Sequence, residues 1–294
     1  MKLLLTGKHG QVGYELQRAL AVLGEVVAVD QAECDLADAD AIRSLVQSVQ
    51  PNAIITPAAY TAVDKAESEV ELARSINTVA PGIFGEEAEK LGALVVHYST
   101  DYVFDGTLDR PYVEIDTTNP QSVYGLTKRD GEVALAAATP HHVILRTSWV
   151  LGAHGGNFAK TMLRLATERD SLSVVADQWG APTSAALLAD VTAHLLRQWQ
   201  AAPERFPYGL FHCAAGGETN WCDYARYVVE QAMKAGKPVK ATPDKINAIT
   251  TADYPTPAKR PTNSRFDCTK FKQTFGLELP HWQSGVSHIL NQIL

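Results

Sequence analysis

Short apolar runs recur through the first half of the chain, each followed by a longer amphipathic stretch. The runs are Leu3-Leu4-Leu5, Val26-Val27-Ala28-Val29, Ala53-Ile54-Ile55, Leu94-Val95-Val96 and Val143-Ile144-Leu145. They are continuous rather than alternating, which marks strands buried on both faces. Helical patterning fills the gaps near residues 11–23, 38–49, 66–90 and 121–138. Strand and helix alternating in this way predict a parallel sheet with helices on both faces and right-handed crossovers. The expected fold is α/β, a Rossmann-like doubly wound sheet. After Arg146 the rhythm loosens. A Gly-rich loop at 152–156 leads to a helix near 157–169, a strand over 172–176 and a helix over 185–199. Pro203, Pro207, Pro255, Pro257 and Pro261 punctuate the last third, and Trp282, Val286, Ile289, Leu290 and Ile293 space a final amphipathic helix. The pattern predicts a sheet body over residues 1–150, with some later segments returning to it, and a smaller mixed α/β lobe over 151–294.

Composition narrows the partners. Lys plus Arg is 26 and Asp plus Glu is 33, a formal net charge of -7 over 294 residues. That excludes a broad basic surface and non-specific nucleic-acid binding, but leaves room for a small anionic ligand in a local pocket. The four cysteines, Cys34, Cys213, Cys222 and Cys268, form no C-x-x-C pair, and no histidine cluster has metal spacing. No apolar run approaches the roughly 18 residues that span a bilayer. The start, Met1-Lys2-Leu3-Leu4-Leu5-Thr6-Gly7, is too short for a signal h-region. A cytoplasmic protein with no membrane partner is the expectation.

The first strand runs into Gly7-Lys8-His9-Gly10-Gln11-Val12-Gly13. Its G-x-x-G-x-x-G spacing is one residue wider than the usual dinucleotide fingerprint. Gly7 permits the turn off the strand, Gly10 lets backbone approach a diphosphate, and Gly13 lets helix and strand pack closely. Free N–H groups near Gln11 and Val12 would face phosphates. Asp30 closes the second strand, where a carboxylate holds an adenosine ribose 2′-OH and favours NAD(H); Lys8 offers a cation to a 2′-phosphate instead.

The fourth strand ends at Ser99-Thr100-Asp101, and Tyr124-Gly125-Leu126-Thr127-Lys128 follows on a predicted helix. Thr100 therefore sits at a strand's carboxyl end, where open α/β sheets bind ligands. Tyr124 and Lys128, four apart, share one helix face. A phenol is a poor acid or base at neutral pH unless a nearby cation lowers its pKa. Tyr124, Lys128 and Thr100 thus supply a proton donor, a tuning cation and a hydroxyl for a carbonyl oxygen, the set that reversible hydride transfer needs.

These motifs resemble the extended branch of the short-chain dehydrogenase/reductase superfamily. Longer stretches narrow the match: Ala58-Ala59-Tyr60-Thr61-Ala62-Val63-Asp64-Lys65-Ala66-Glu67, Ser99-Thr100-Asp101-Tyr102-Val103-Phe104-Asp105-Gly106, Arg146-Thr147-Ser148-Trp149, Asn157-Phe158-Ala159-Lys160-Thr161-Met162, Asp177-Gln178-Trp179-Gly180-Ala181-Pro182-Thr183 and Lys259-Arg260-Pro261-Thr262-Asn263-Ser264. In family order and over nearly the whole chain, they resemble the dTDP-4-dehydrorhamnose reductase family. The resemblance implies reduction of the C4 ketone of dTDP-4-dehydro-β-L-rhamnose, the last step of dTDP-L-rhamnose biosynthesis, with NADPH or NADH. It implies Tyr124 as proton donor, Lys128 on the nicotinamide ribose and Thr100 on the carbonyl oxygen. Gly7, Gly10, Gln11, Val12, Gly13, Asp30, Asp35, Leu36, Ala58, Ala59 and Thr61 would contact the cofactor. Asp101 and Trp149 would hold the sugar. Asn157, Gln178 and Arg260 would meet the diphosphate or thymine, or else cap helices and fix loops. Arg146 and Asp190 read as structural.

Some relatives bridge a homodimer through Mg²⁺ held by carboxylates. The aligned positions here read as Ala186 and Gln292, poor ligands for that ion, so no metal is expected. Two other readings stand beside the reductase. One is a nucleotide-sugar epimerase or dehydratase; the Asp101-Tyr102 that follows Thr100 lacks a dehydratase's acidic pair. The other is a non-catalytic regulatory subunit resembling that of methionine adenosyltransferase.

Overall fold

The computed structural model describes residues 1–294. Its body is built from β1 (Lys2–Thr6), α1 (Gln11–Leu20), β2 (Glu25–Val29), α2 (Ala39–Val49), β3 (Ala53–Thr56), α3 (Val63–Ala66), α4 (Val70–Arg74), α5 (Ala80–Leu91), β4 (Leu94–Thr100), α6 (Val123–Ala138) and β5 (His142–Thr147). The lobe adds β6 (Val150–Leu151), α7 (Phe158–Glu168), β7 (Leu172–Val175), β8 (Trp179–Gly180), β9 (Thr183–Ser184), α8 (Ala185–Ala201), β10 (Gly209–His212), β11 (Thr219–Asn220), α9 (Trp221–Lys234), β12 (Ile246–Ile249), α10 (Thr269–Phe275) and α11 (Trp282–Ile293).

Six parallel strands make one sheet in the order β10-β5-β4-β3-β1-β2. The continuous apolar runs are explained by cover on both faces. Leu3 and Leu5 face a core shared with α1, α8 and α10, while Leu4, between them, faces one shared with α2 and α5. Chain order reverses between β1 and β3, so the crevice outside their carboxyl ends is the sheet's ligand-binding place. Four of the strands, β1, β3, β4 and β5, end there on a threonine: Thr6, Thr56, Thr100 and Thr147. The later strand β10 is the edge of this sheet, and α8 packs into its core beside α1. The rest of the lobe has its own core on α7, α9 and α11, with three two-stranded ribbons.

One expected helix is broken. The stretch near 66–90 folds as α3, α4, a π-turn over Ser75–Val79 and α5. Pro81 explains the change: it has no N–H for the Asn77 carbonyl, which an α-helical ladder would require. That carbonyl is covered instead by α6, where a Cβ on Gly131 would come within 2.0 Å of it. The Asn77 side chain then clamps the Tyr60 peptide, accepting from its N–H at 2.8 Å and donating to its carbonyl at 3.1 Å.

Candidate active site

Gly7 turns off β1 with φ 66°, and its carbonyl accepts the Gly10 N–H at 2.9 Å. Gly10 caps α1 without a side chain, so the first N–H groups of the helix are unclaimed by any cap. A Cβ on Gly13 would lie 1.9 Å from the Gly7 carbonyl oxygen, which is why helix and strand end sit so close. Along this turn runs a cavity of about 440 Å³, from Asp30 past the glycines to Tyr124 and Lys128. A second of about 350 Å³ continues beyond Asp30 to Asp35 and Leu36. Both are lined by Gly7, Asp30, Ala58, Ala59 and Thr61, so they form one trench over the sheet's reversal point. Gln11, Val12 and Gly13 complete the trench, and the residues that the resemblance implied as cofactor contacts line it, whereas Lys8 does not.

Charges around Asp30 are paired off. Asp30 accepts from the His9 N–H at 2.9 Å, Glu33 accepts from the Asp30 N–H at 2.8 Å, and Lys8 is ion-paired to Glu33. The trench fits a dinucleotide: it has a glycine cradle at a helix start, and the buried hydroxyls of Thr6, Ser99 and Thr147 on its walls have no partner.

The reacting groups come from the ends of β4 and α6. Ser122 caps α6 by accepting from the Gly125 N–H at 3.1 Å, which places Tyr124 in the first turn and Lys128 one turn on. A Cβ on Gly125 would stand 2.2 Å from the Tyr102 carbonyl oxygen. Only glycine lets the helix press this close to the segment after β4. Tyr124 thus meets Tyr102 edge to face, ring centroids 5.4 Å apart. Thr100 donates to Asp101 Oδ1 at 3.1 Å, and the Tyr102 N–H donates to Thr100 at 3.2 Å.

Burial governs the protons here. It pushes the Tyr124 phenol up to about 12; a hydrogen bond with Thr100, rather than Lys128, is what draws it back. Burial pulls the Lys128 ammonium down to about 8, opposed by Glu132, and lifts the Asp101 carboxyl to about 6. Asp101 Oδ2 is buried with no hydrogen-bond partner. Lys128 donates to the Tyr98 carbonyl at 2.7 Å. The Glu132 carboxylate is taken by Arg146 in a buried two-point pair at 2.8 and 2.7 Å.

A third cavity, of about 570 Å³, opens in the lobe and includes Tyr102 in its wall. Tyr102 therefore joins it to the trench across Tyr124. Gln178 and Arg260 line it. Gln178 accepts from the Trp221 indole at 3.1 Å and donates to Thr251 at 3.1 Å. Arg260 binds Asp64 through Nη2 at 2.9 Å, and its buried Nη1 has no partner. Trp149 does not reach the wall: it stacks behind Trp221, centroids 3.7 Å apart, with its backbone at φ 49°. Asn157 lines none of these cavities. It caps α7 through the Lys160 N–H and donates to Gln11 Oε1 at 3.0 Å, tying the Gly-rich loop to the trench. The walls contributed by Tyr102, Phe158, Trp221 and Tyr254 were not assigned from the sequence. Tyr102, two residues past Thr100, had a positional signal; Trp221 at the start of α9 had none.

Ala186 and Gln292 do share a surface cavity, but with Glu15, Arg18 and Asp190. Arg18 already pairs with Glu15 at 3.3 Å and Asp190 at 3.1 Å. No three His, Cys, Asp or Glu side chains are disposed to hold a metal ion. Ala186 and Gln292 thus bring no carboxylate to this cavity, and its Glu15 and Asp190 are both paired with Arg18.

A doubly wound sheet, a glycine turn after its first strand and a buried Tyr–Lys pair beside a strand-end threonine together define an oxidoreductase of the short-chain dehydrogenase/reductase type. Comparison with known proteins narrows that class. Residues 1–294 match the family model described as the RmlD substrate binding domain. The chain is 50% identical over 297 residues to the dTDP-4-dehydrorhamnose reductase of Escherichia coli K12, covering 100% of this chain and 98% of that one. A crystal structure of a dTDP-4-dehydrorhamnose reductase from Clostridium acetobutylicum superposes with a TM-score of 0.90 at 37% identity, covering 99% of each chain. One from Bacillus anthracis, in complex with NADP, gives 0.88 at 31% identity, also covering 99% of each. The chain belongs to the dTDP-4-dehydrorhamnose reductase family.

Proposed function

We propose that this chain reduces the C4 ketone of dTDP-4-dehydro-β-L-rhamnose to dTDP-β-L-rhamnose, with NADPH as cofactor and NADH also serving. The observation that carries the reading is the place of Tyr124: it lines the glycine-lined trench together with Lys128, bonds Thr100, and meets edge to face Tyr102, which lines the lobe cavity. A dinucleotide in the trench would be held by Gly10, Gln11 and Val12 backbone, by Asp30 or Lys8 at the adenosine ribose and by Lys128 at the nicotinamide ribose, and it would supply the hydride. The Arg260 Nη1 donor, buried and unpaired, suits a diphosphate entering the lobe cavity.

The chain's own residues handle the proton. At neutral pH the buried phenol of Tyr124 is protonated, so it acts as the acid toward the oxygen formed at C4. Lys128, charged and without a carboxylate partner of its own, stabilises the phenolate that remains. Thr100 polarises the carbonyl oxygen by turning to it the hydroxyl that otherwise donates to Asp101 Oδ1. A regulatory subunit would need none of these groups. The test is spectrophotometric: dTDP-4-dehydrorhamnose with NADPH or NADH in turn, and identification of the product sugar. Absence of turnover with both would refute the reading.

A further inference from the structure

Behind Lys128, away from the trench, three buried polar side chains form a line across the sheet. His97 of β4, Thr56 at the end of β3 and Lys128 are 1%, 3% and 2% exposed. Lys128 Nζ lies 3.1 Å from His97 Nε2, His97 Nδ1 lies 2.8 Å from Thr56 Oγ1, and Thr56 Oγ1 lies 3.4 Å from the Val96 carbonyl oxygen. An ammonium has donors only, so Nε2 must accept and carry no hydrogen. The ring proton of a neutral imidazole then sits on Nδ1 and is donated to Thr56, whose own hydroxyl hydrogen goes to Val96. Every group in the line has one role.

We propose that Thr56 and His97 are positioning residues for Lys128. They lock the imidazole as its Nδ1–H tautomer, so that Nε2 and the Tyr98 carbonyl take two ammonium hydrogens and leave the third for the trench, which Lys128 lines. This rests on the role given to Lys128 above. The neutral state of His97 is secured by burial first and then by the Lys128 charge, which together hold it well below the usual histidine range. The ionisable groups that act on the line are Glu132 of α6, on Lys128, and His142 of β5, on His97. Glu132 spends its carboxylate on Arg146. A neutral acceptor behind Lys128 fixes its direction without cancelling its charge, which a carboxylate there would do.

The experiment uses the full chain with Thr56→Val, His97→Gln and His97→Asn. Gln keeps an acceptor near the Nε2 position; Asn keeps only the partner for Thr56. Thr56→Val and His97→Asn should lower kcat about tenfold, the worth of one lost hydrogen bond. They should also move the alkaline limb of the pH–rate profile to lower pH, because the charged lysine loses an acceptor. NADPH affinity and melting temperature identify folded variants. His97→Gln should retain both the rate and the limb. Imidazole ¹⁵N resonances of the wild type should show Nδ1 protonated and Nε2 bare; this readout needs no turnover, so it stands even if the proposed reaction fails. An Nε2–H tautomer or an imidazolium at neutral pH would overturn the inference. So would folded Thr56→Val and His97→Asn proteins with wild-type rate and limb, or a Gln variant as impaired as the Asn variant. Should His97→Asn not fold, the near-isosteric Thr56→Val and the resonances decide.

Discussion

Replacing Tyr124 by Phe removes one oxygen and leaves the ring. The edge-to-face contact with Tyr102 survives, and so does the fit of α6 against the segment after β4, which Gly125 sets. Fold stability should therefore change by no more than about 1 kcal/mol. The rate should not survive. A positioned general acid contributes about 10²–10⁴-fold, or ~3–5 kcal/mol of barrier. The structure argues for the upper half of that range. The Thr100 hydroxyl is too weak an acid to stand in for the phenol, and Lys128 keeps only one ammonium hydrogen for the trench, the other two being held by Tyr98 and His97. The assay follows NADPH absorbance with the keto-sugar in excess, while fluorescence titration measures NADPH binding separately. A kcat loss of at least about 10³-fold with unchanged NADPH affinity is expected. A variant within about tenfold of wild type would show that the proton comes from elsewhere and that the role given to Tyr124 is wrong.

Lys128→Met should abolish turnover while stabilising the fold. The folded-state value of about 8 lies below 10.5, so the folded chain binds fewer protons between those pH values. Charging the lysine therefore costs stability below pH 8, and that cost disappears as pH rises to 10.5. The gain at pH 7, after allowance for two lost hydrogen bonds, should be about 1–3 kcal/mol in urea unfolding; a destabilised variant at pH 7 would contradict the burial argument. Glu132→Ala leaves the Arg146 guanidinium buried and unpaired and should cost about 3–5 kcal/mol, read by the same titration; a loss under about 1 kcal/mol would mean that the pair is solvated. Asp30→Ala should raise the KM for NADH more than that for NADPH, since only the former offers a 2′-OH to the carboxylate; equal effects would remove Asp30 from the ribose.

The body of the fold was legible because two-sided burial writes itself as uninterrupted apolar runs. Leu3-Leu4-Leu5 must satisfy one core with its odd members and another with Leu4, and no surface strand would tolerate that. The break in the helix near 66–90 was not legible. Pro81 lies close to the start of α5, a position that ordinarily tolerates proline, so its missing N–H does not announce a widened turn, and only the packing of Gly131 shows what covers the carbonyl it leaves free. The glycine turn was legible from spacing, since a glycine turn after the first strand fixes where backbone N–H groups point, whereas Asp35, Leu36, Ala58, Ala59 and Thr61 came from the family resemblance alone. The lobe cavity was legible only in part. Gln178 and Arg260 stand in motifs, but Trp221 and Tyr254 reach the cavity through tertiary packing that no spacing encodes. Trp149 shows the same gap from the other side. Its motif marks the right neighbourhood, yet the ring ends one layer back, held between Gly180 and Trp221.

Charge shows how an acidic chain can take anionic ligands. Among the cations near the site, Lys8 is matched by Glu33 and Arg260 is half matched by Asp64. Lys160 is spent on the carbonyls of Ala153 and Gly155. Lys128 forms no ion pair with a carboxylate, and its only hydrogen-bond partners are a carbonyl and a neutral imidazole. A surface of net charge -7 cannot draw a diphosphate by its overall field. Attraction must come from groups whose charge is left unspent at short range: the first N–H groups of α1, the free Nη1 of Arg260 and Lys128. Each is kept unspent by a different device: a glycine cap with no side chain, a guanidinium tied by one nitrogen only, and a lysine held by uncharged acceptors. Pairing the surrounding charges would thus confine binding to the crevice, and the same arrangement leaves Lys128 charged in the trench it lines with Tyr124, where the proposed reduction needs it.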